Sequence, residues 1–271
     1  MTRSEVNRLC RQIGLRPNRH AGQNFLLAEE YAAMMVDVAG VNKQDVILEI
    51  GPGFGILTRH LLRAGARVVA VELDRRLAAY LKSTYSSESK LEIIHDDIFH
   101  VRLDQLVTDG QFKVVANLPY SVTGLLLRNL LTKNPRPSGL TVMIQKEVAE
   151  RIVAEPGAMN LLAILAQYYS TPSYIATVPR TVFYPMPEVT TAIVHLGPMR
   201  QPDLDEASKL WQLARAAFTG KRKQLHNGLA VVWGLKPEKM AEKLDQIGID
   251  SRLRPQALAL SDWKKIAEYF R

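Results

Sequence analysis

The sequence predicts an α/β protein: a mainly parallel, doubly wound sheet with helices on both faces, followed by a small C-terminal helical domain. Three observations carry this. Between residues 46 and 154, short runs that are apolar on both faces alternate with helical stretches, the pattern of parallel strands covered on both sides. A glycine-rich turn at 51–55 joins the first such run to the helix after it, a junction at which open α/β sheets place ligands. Beyond Gly197-Pro198 the apolar periodicity is helical throughout.

The elements follow in order. VILEIG (46–51) is a buried strand, and GILTRHLLRAG (55–65) is a helix stopped by Gly65. RVVAVEL (67–73) is a strand and DRRLAAYLKSTY (74–85) a helix. LEIIH (91–95) and FKVVA (112–116) are strands, SVTGLLLRNLL (121–131) a helix, TVMIQ (141–145) a strand and KEVAERIVA (146–154) a helix. SYIATV (173–178) and TTAIVHL (190–196) are β-rich, and the long return PRTVFYPMPEV between them suits an antiparallel edge hairpin. Four helical stretches close the chain: LDEASKLWQLARAAF, RKQLHNGLAVVW, PEKMAEKLDQIG and SDWKKIAEYF, punctuated by Gly220, Gly234 to Pro237 and Arg254-Pro255. The expected organisation is a basic N-terminal arm (1–22), the α/β domain (23–197) and the helical domain (198–271).

The 271 residues are 47% hydrophobic and 23% charged, as in an ordinary globular protein. The single cysteine, Cys10, lies in a polar stretch; one thiol makes neither an internal disulfide nor a cysteine-based zinc site. The opening MTRSEVNRLCRQIG has no apolar core of signal-peptide type, and no run approaches a membrane span. A soluble cytoplasmic protein with no membrane partner is expected. The net charge of +8 is uneven: residues 1–22 carry +4, residues 23–197 carry −1, and residues 198–271 carry +5. Two basic ends around a neutral centre suit a phosphate-binding footprint.

The turn ILEIGPGFGILT carries Gly51, Gly53 and Gly55. Glycine there permits a tight turn and close approach of a ligand to backbone N–H groups. Glu72 stands at the end of the next strand, placed to accept hydrogen bonds from both ribose hydroxyls of a nucleoside. An NAD enzyme and a methyltransferase both want this arrangement. The dinucleotide fingerprint, however, needs a third glycine where this chain has Ile56. The following strand ends HDDIF, where Asp96 or Asp97 suits an adenine amino group.

The strand FKVVA runs into Asn-Leu-Pro-Tyr. Asn117 offers a side-chain carbonyl. Pro119 forces Leu118 toward an extended conformation, which aims the Leu118 carbonyl into the same space. Two adjacent acceptors suit an NH2 group, and Tyr120 gives a flat face for a base. An adenine N6 amine is a poor nucleophile because its lone pair is delocalised into the ring. Acceptors on its hydrogens pull it toward tetrahedral geometry, and the remaining task is orientation toward an activated methyl group. The glycine loop, Glu72 and NLPY regions hold no plausible Ser–His or Cys–His pair.

ILEIGPGFGILT, VELDRRLA, NLPYSVT and the QNFL at 23–26 resemble the ribosomal RNA adenine N6,N6-dimethyltransferases, most of all the bacterial small-subunit (16S rRNA) branch. MIQKEVAERIVAEPG, FYPMPEVTTAIV, AFTGKRKQLHNGL and RPQALALSDW are similar to that family's later blocks, so the likeness spans nearly the whole chain. The resemblance implies a Rossmann-like class I methyltransferase domain, with S-adenosylmethionine as donor and no metal. It implies dimethylation of two adjacent adenosines in the 3′-terminal hairpin of small-subunit rRNA, within an assembling 30S particle, by a monomer. Carried over by motif, Asn24 and Leu26 line the cofactor site, Gly51 lies beneath the methionine part, Glu72 binds the ribose and Asp97 the adenine. Asn117 straddles cofactor and target, while Tyr120 and Phe183 sandwich the target adenine. An aromatic is missing from Arg19-His20-Ala21-Gly22 ahead of QNFL. Arg180 replaces a proline, and Thr190-Thr191 replaces the usual Asp-Ser. Arg16 and Arg19, with Arg8 and Arg11, and the Lys221-Arg222-Lys223 cluster at the start of a helix are the expected RNA contacts. The rivals are a large-subunit rRNA methyltransferase and a non-catalytic ribosome-assembly factor that binds RNA.

Overall fold

The computed structural model describes residues 1–17, 23–107, 111–201, 203–220 and 223–270. Among the described residues the strands are β1 (Phe25–Leu26), β2 (Val46–Ile50), β3 (Arg67–Glu72), β4 (Leu91–His95), β5 (Lys113–Asn117), β6 (Gly139–Gln145), β7 (Pro172–Val178), β8 (Phe183–Tyr184) and β9 (Thr191–Leu196). Seven form one sheet in the order β4-β3-β2-β5-β6-β9-β7, and β1 pairs with β8 separately. β4, β3, β2, β5 and β6 are mutually parallel, and β9 runs antiparallel to β6. The predicted parallel sheet and its antiparallel edge region are both present.

The burial of each strand follows its place. The central strands β2, β3, β5 and β6 are buried along nearly their whole length, which is why they read as unbroken apolar runs. β4, at the edge, is only partly covered. Helices α1 (Arg3–Gln12), α2 (Glu29–Val38), α3 (Ile56–Arg63), α4 (Arg75–Thr84), α5 (Leu103–Leu106) and α6 (Thr123–Thr132) accompany the sheet, and α7 (Lys146–Ile152) follows β6. One core cluster joins Met35, Leu57 and Leu61 of α2 and α3 to Ile47, Val68, Ala70, Val115, Met143 and Ile193 of the sheet. Full burial of each Val, Leu, Ile or Met side chain among them contributes about 1.5–3 kcal/mol.

The chain divides into two compact units, residues 1–149 with 173–198, and residues 150–172 with 199–271. This differs from the sequence reading at both ends. The basic arm is in part a helix: Thr2 caps α1 by accepting from the Glu5 N–H, and Glu5 returns the bond to the Thr2 N–H. Its Val6 and Cys10, with Leu15, are buried in a cluster with Phe25, Phe54 and Leu77. The cysteine expected in a polar stretch therefore faces apolar neighbours, one helical turn from Val6.

Residues 150–172 belong with the helical unit for a similar reason. Helix α8 (Leu161–Tyr169), capped by Asn160 Oδ1 on the N–H groups of Leu162 and Ala163, buries Ala163, Ile164, Leu165, Ala166, Tyr168 and Tyr169. A helix this apolar needs cover on more than one side. It packs with α9 (Leu204–Thr219) and α12 (Leu260–Tyr269); α10 (Leu225–Trp233) and α11 (Pro237–Gln246) complete the unit. Trp263 is fully buried and stacks on Phe218 at 5.9 Å between ring centroids.

Candidate nucleotide and methyl-transfer site

The carboxyl ends of β2, β3, β4 and β5 open into a cavity of about 550 Å³. Gly51, Glu72, Asp97 and Asn117 each line it from a different strand end, and Asn24 and Leu26 close it from the QNFL segment. Arg16 also reaches its wall. All six cofactor positions expected from sequence are therefore brought together.

Local geometry explains the residue types. Gly51 and Gly53 have φ of +67° and +60°, where a side chain is strained. A Cβ at Gly53 would stand 3.1 Å from the Phe25 ring, whereas one at Gly51 would meet only Pro119, at 4.0 Å. The space between the glycine turn and the NLPY loop is thus left open. Glu72 is buried, and its two oxygens accept from the N–H groups of Gly53 at 3.1 Å and Asp74 at 2.9 Å. These bonds fix the carboxylate plane while each oxygen keeps a second lone pair for a ligand hydroxyl. Burial pushes the Glu72 carboxyl up, partly offset by those two N–H donors, and the Asp74 charge adds to the rise.

Asp74 in turn ties the site to the N-terminal segment. Its oxygens accept from Arg76 Nη2 at 2.7 Å, Nε at 3.1 Å and the main-chain N–H at 2.9 Å, and Arg76 Nη1 reaches the Gly14 carbonyl at 2.9 Å. The Arg76 guanidinium holds the Asp74 carboxyl below its ordinary value. Gln23 Nε2 donates to Asp74 at 3.5 Å. Asp97 Oδ1 accepts from the Phe99 N–H at 3.0 Å, so Asp97 also organises its own turn.

Sequence reasoning passed over Glu49, which lines the cavity, is 1% exposed and accepts from Thr58 Oγ1 at 2.7 Å. Burial pushes its carboxyl up to about 8; the Thr58 hydroxyl opposes this and the Glu72 charge adds to it. A carboxylate inside the apolar run VILEIG was the available signal. Gln23, Ile98 and Phe99 also line the cavity, beside residues that were identified.

The residues expected from sequence to be catalytic are only partly brought together. Asn117 Nδ2 donates to the Asn24 carbonyl at 3.3 Å, which leaves Oδ1 as the amide's acceptor for a ligand. Leu118 has a buried side chain outside the cavity wall, and its N–H donates to the Met143 carbonyl at 3.0 Å; only its own carbonyl can serve chemically. Tyr120 is half-buried, lies outside the cavity wall, and bonds the Thr191 hydroxyl at 2.5 Å. Phe183 does not face the cavity. It pairs with Leu26, has no exposed surface, and packs with Leu26, Val115 and Met143. Successive strand residues point to opposite faces, so the β1–β8 register sends Phe183 inward and leaves Tyr184 half-exposed.

The expected RNA contacts are only partly described. Arg8, Arg11 and Arg16 are exposed. Lys223 is exposed, its N–H donates to the Gly220 carbonyl, and it stands two residues before α10 rather than inside it. Arg19, Lys221 and Arg222 lie outside the described residues.

A family model for ribosomal RNA adenine dimethylase matches residues 14–271. The chain belongs to the ribosomal RNA adenine dimethylase family. "Ribosomal RNA small subunit methyltransferase A" of Dehalococcoides mccartyi strain CBDB1 is 36% identical over 255 residues, covering 93% of this chain and 88% of that protein. The protein of the same name from Moorella thermoacetica is 36% identical over 272 residues, covering 96% and 94%. Among solved structures, a dimethyladenosine transferase from Plasmodium falciparum superposes with a TM-score of 0.75 at 23% identity, covering 91% of this chain and 97% of that one. The 23S rRNA methyltransferase ErmE gives 0.74 at 23%, covering 91% and 99%. These two likenesses establish a shared fold. Membership of the dimethylase family bears out the resemblance drawn from EIGPGFG, VELD and NLPY, and removes the NAD enzyme from consideration.

Proposed function

We propose that the protein transfers methyl groups from S-adenosylmethionine to N6 of two adjacent adenosines in the 3′-terminal hairpin of 16S rRNA, giving N6,N6-dimethyladenosines. It acts as a cytoplasmic monomer on small-subunit rRNA within an assembling 30S particle. The relatives named as small-subunit methyltransferases, aligned over nearly the whole chain, favour this subunit. Among the described residues no helix is long and apolar enough to cross a membrane.

One observation carries the chemistry: the order of functional groups along the sheet edge. The strand order β4-β3-β2-β5 sets Asp97, Glu72, Gly51 and Asn117 side by side. At about 4.8 Å per strand, they span roughly 14 Å. That length suits an adenine at Asp97, a ribose at Glu72 and a methionine arm over Gly51, with the methyl end toward Asn117. The sulfonium supplies an already activated methyl group. The chain's own residues bind and orient. Asn117 Oδ1 and the Leu118 carbonyl accept the two N6 hydrogens and free the nitrogen lone pair, and Asn24 keeps the Asn117 amide turned the right way. Tyr120 is the platform for the target base. Phe183 is its second face, and this requires the Phe183 ring to leave the core as the base enters.

Once the methylated nitrogen has lost a proton to solvent, N6 keeps a single hydrogen, so one acceptor is released and its place takes a methyl. The base must also leave its stack, at a cost of a few kcal/mol, which phosphate contacts by Arg8, Arg11, Arg16, Arg19 and the Lys221-Arg222-Lys223 cluster offset. The test is incorporation of labelled methyl from S-adenosylmethionine into separated under-methylated subunits. Label confined to the 30S subunit supports the reading. Label confined to the 50S subunit moves the protein to the large-subunit reading, and none in either leaves a non-catalytic RNA-binding factor.

A further inference from the structure

Tyr120 follows the end of β5, yet its hydroxyl is 2.5 Å from that of Thr191, the first residue of β9. Because β9 runs antiparallel to β6, with Thr191 opposite Gln145, its first residue lies at the same sheet edge as the carboxyl ends of β5 and β6. The bond therefore reaches from β5 past β6 to β9, about 10 Å across two strand spacings.

Two other tethers, at Leu118 and Pro119, act on the main chain of this loop. The Leu118 N–H is held by the Met143 carbonyl, and the Pro119 carbonyl by Thr123 Oγ1 at 2.9 Å. These place the backbone and make no bond to the Tyr120 ring, whose side-chain torsions they leave unset. A phenol ring has one polar handle, and here the Thr191 hydroxyl takes it. Thr191 is fully buried, and its β-branch restricts the side chain to few rotamers, so the anchor is stiff. A phenol is protonated at neutral pH at its ordinary value of about 10, and burial pushes that of Tyr120 further up.

We propose that Thr191 is a positioning residue for methyl transfer, its hydroxyl fixing the plane of the Tyr120 ring against which the target adenine stacks. This rests on the reading of Tyr120 as the stacking platform. A misaligned platform tilts N6 away from the methyl donor, and a misplacement of about 1 Å is enough for a large loss of rate.

The experiment is a double-mutant cycle on Thr191→Val and Tyr120→Phe, with Thr191→Ser as rescue. It reads single-turnover methylation of under-methylated 30S subunits, KM for those subunits, and S-adenosylhomocysteine affinity by calorimetry. Each single variant is expected to slow transfer by about tenfold or more. KM should stay within about twofold, since phosphate contacts are untouched. Cofactor affinity of Thr191→Val should be unchanged, because Thr191 is not in the cavity wall. The double variant should be no slower than either single one, and Thr191→Ser should restore the rate. A wild-type rate for Thr191→Val, or additive losses in the double variant, overturns the proposal. If Tyr120→Ala also keeps the wild-type rate, the platform reading falls with it; if Tyr120→Ala is slow, only the role of Thr191 falls. Should Thr191→Val not fold, Tyr120→Phe decides alone, and a wild-type rate for it overturns the proposal.

Discussion

Replacing Glu49 by Gln should flatten the dependence of stability on pH. Glu49 is 1% exposed at the end of β2, and its carboxyl is pushed up to about 8 from an ordinary 4.5, first by burial and then by the charge of Glu72. A carboxyl raised in the folded state favours folding while it is protonated. Between about pH 4.5 and 8 the folded chain holds this proton and the unfolded chain does not, so stability falls as pH rises, by about 1.4 kcal/mol per unit. Across that window the loss is on the order of 5 kcal/mol. Glu72, also raised by burial, acts in the same direction. His60 and His195, lowered by burial, act in the opposite direction below their ordinary 6.5. The comparison must therefore be between variants. Urea unfolding without cofactor at pH 5, 6, 7 and 8 measures it. Gln keeps an acceptor for Thr58 Oγ1 and has nothing to titrate, so its stability slope should be shallower by about one proton. Parallel slopes for the two proteins would refute the buried, protonated Glu49.

Other expectations are more direct. Asn117→Ala should slow the first methyl transfer by about 100-fold or more, because it removes an acceptor that acts only at the reacting nitrogen; single-turnover kinetics measures this, and normal turnover would defeat the proposed mechanism. Asn117→Asp should be similarly slow, since a carboxylate cannot donate to the Asn24 carbonyl that now stands 3.3 Å from Nδ2. Gly228→Ala should destabilise the helical unit by about 1–3 kcal/mol, because its Cβ would lie 2.9 Å from the Ala217 Cα; thermal melting tests it, and an unchanged melting point contradicts the close α9–α10 approach. Reversing the charges of Lys221, Arg222 and Lys223 should weaken rRNA binding and reduce its salt slope. Filter binding across a salt series reads both, and no change in either removes the cluster from the interface.

Much of the fold, and the gathering of Gly51, Glu72, Asp97 and Asn117 around one cavity, was legible in the sequence for identifiable reasons. Strands buried on both faces leave unbroken apolar runs, and the glycine turn, Glu72 and Asn117 mark where three of them end. What stayed hidden depended on pairing rather than period. β1 and β8 are two residues each, too short to show alternation, and their register alone turns Phe183 inward. Helix α1 is marked in the sequence only by the Thr2-x-x-Glu5 cap and the four-residue spacing of Val6 and Cys10, two apolar positions set among five arginines. The move of residues 150–172 to the helical unit followed from α8 being apolar all round, which shows that a helix is buried without naming its partners.

The most direct test of the whole account is nucleoside analysis of the 16S rRNA 3′-terminal hairpin. Under-methylated 30S subunits are incubated with the protein and S-adenosylmethionine, the hairpin fragment is isolated, and its adenosines are identified by mass spectrometry. The account predicts two adjacent N6,N6-dimethyladenosines, absent when Asn117→Ala replaces the wild-type protein. A hairpin with unmodified adenosines after incubation with the folded, cofactor-binding protein would contradict it.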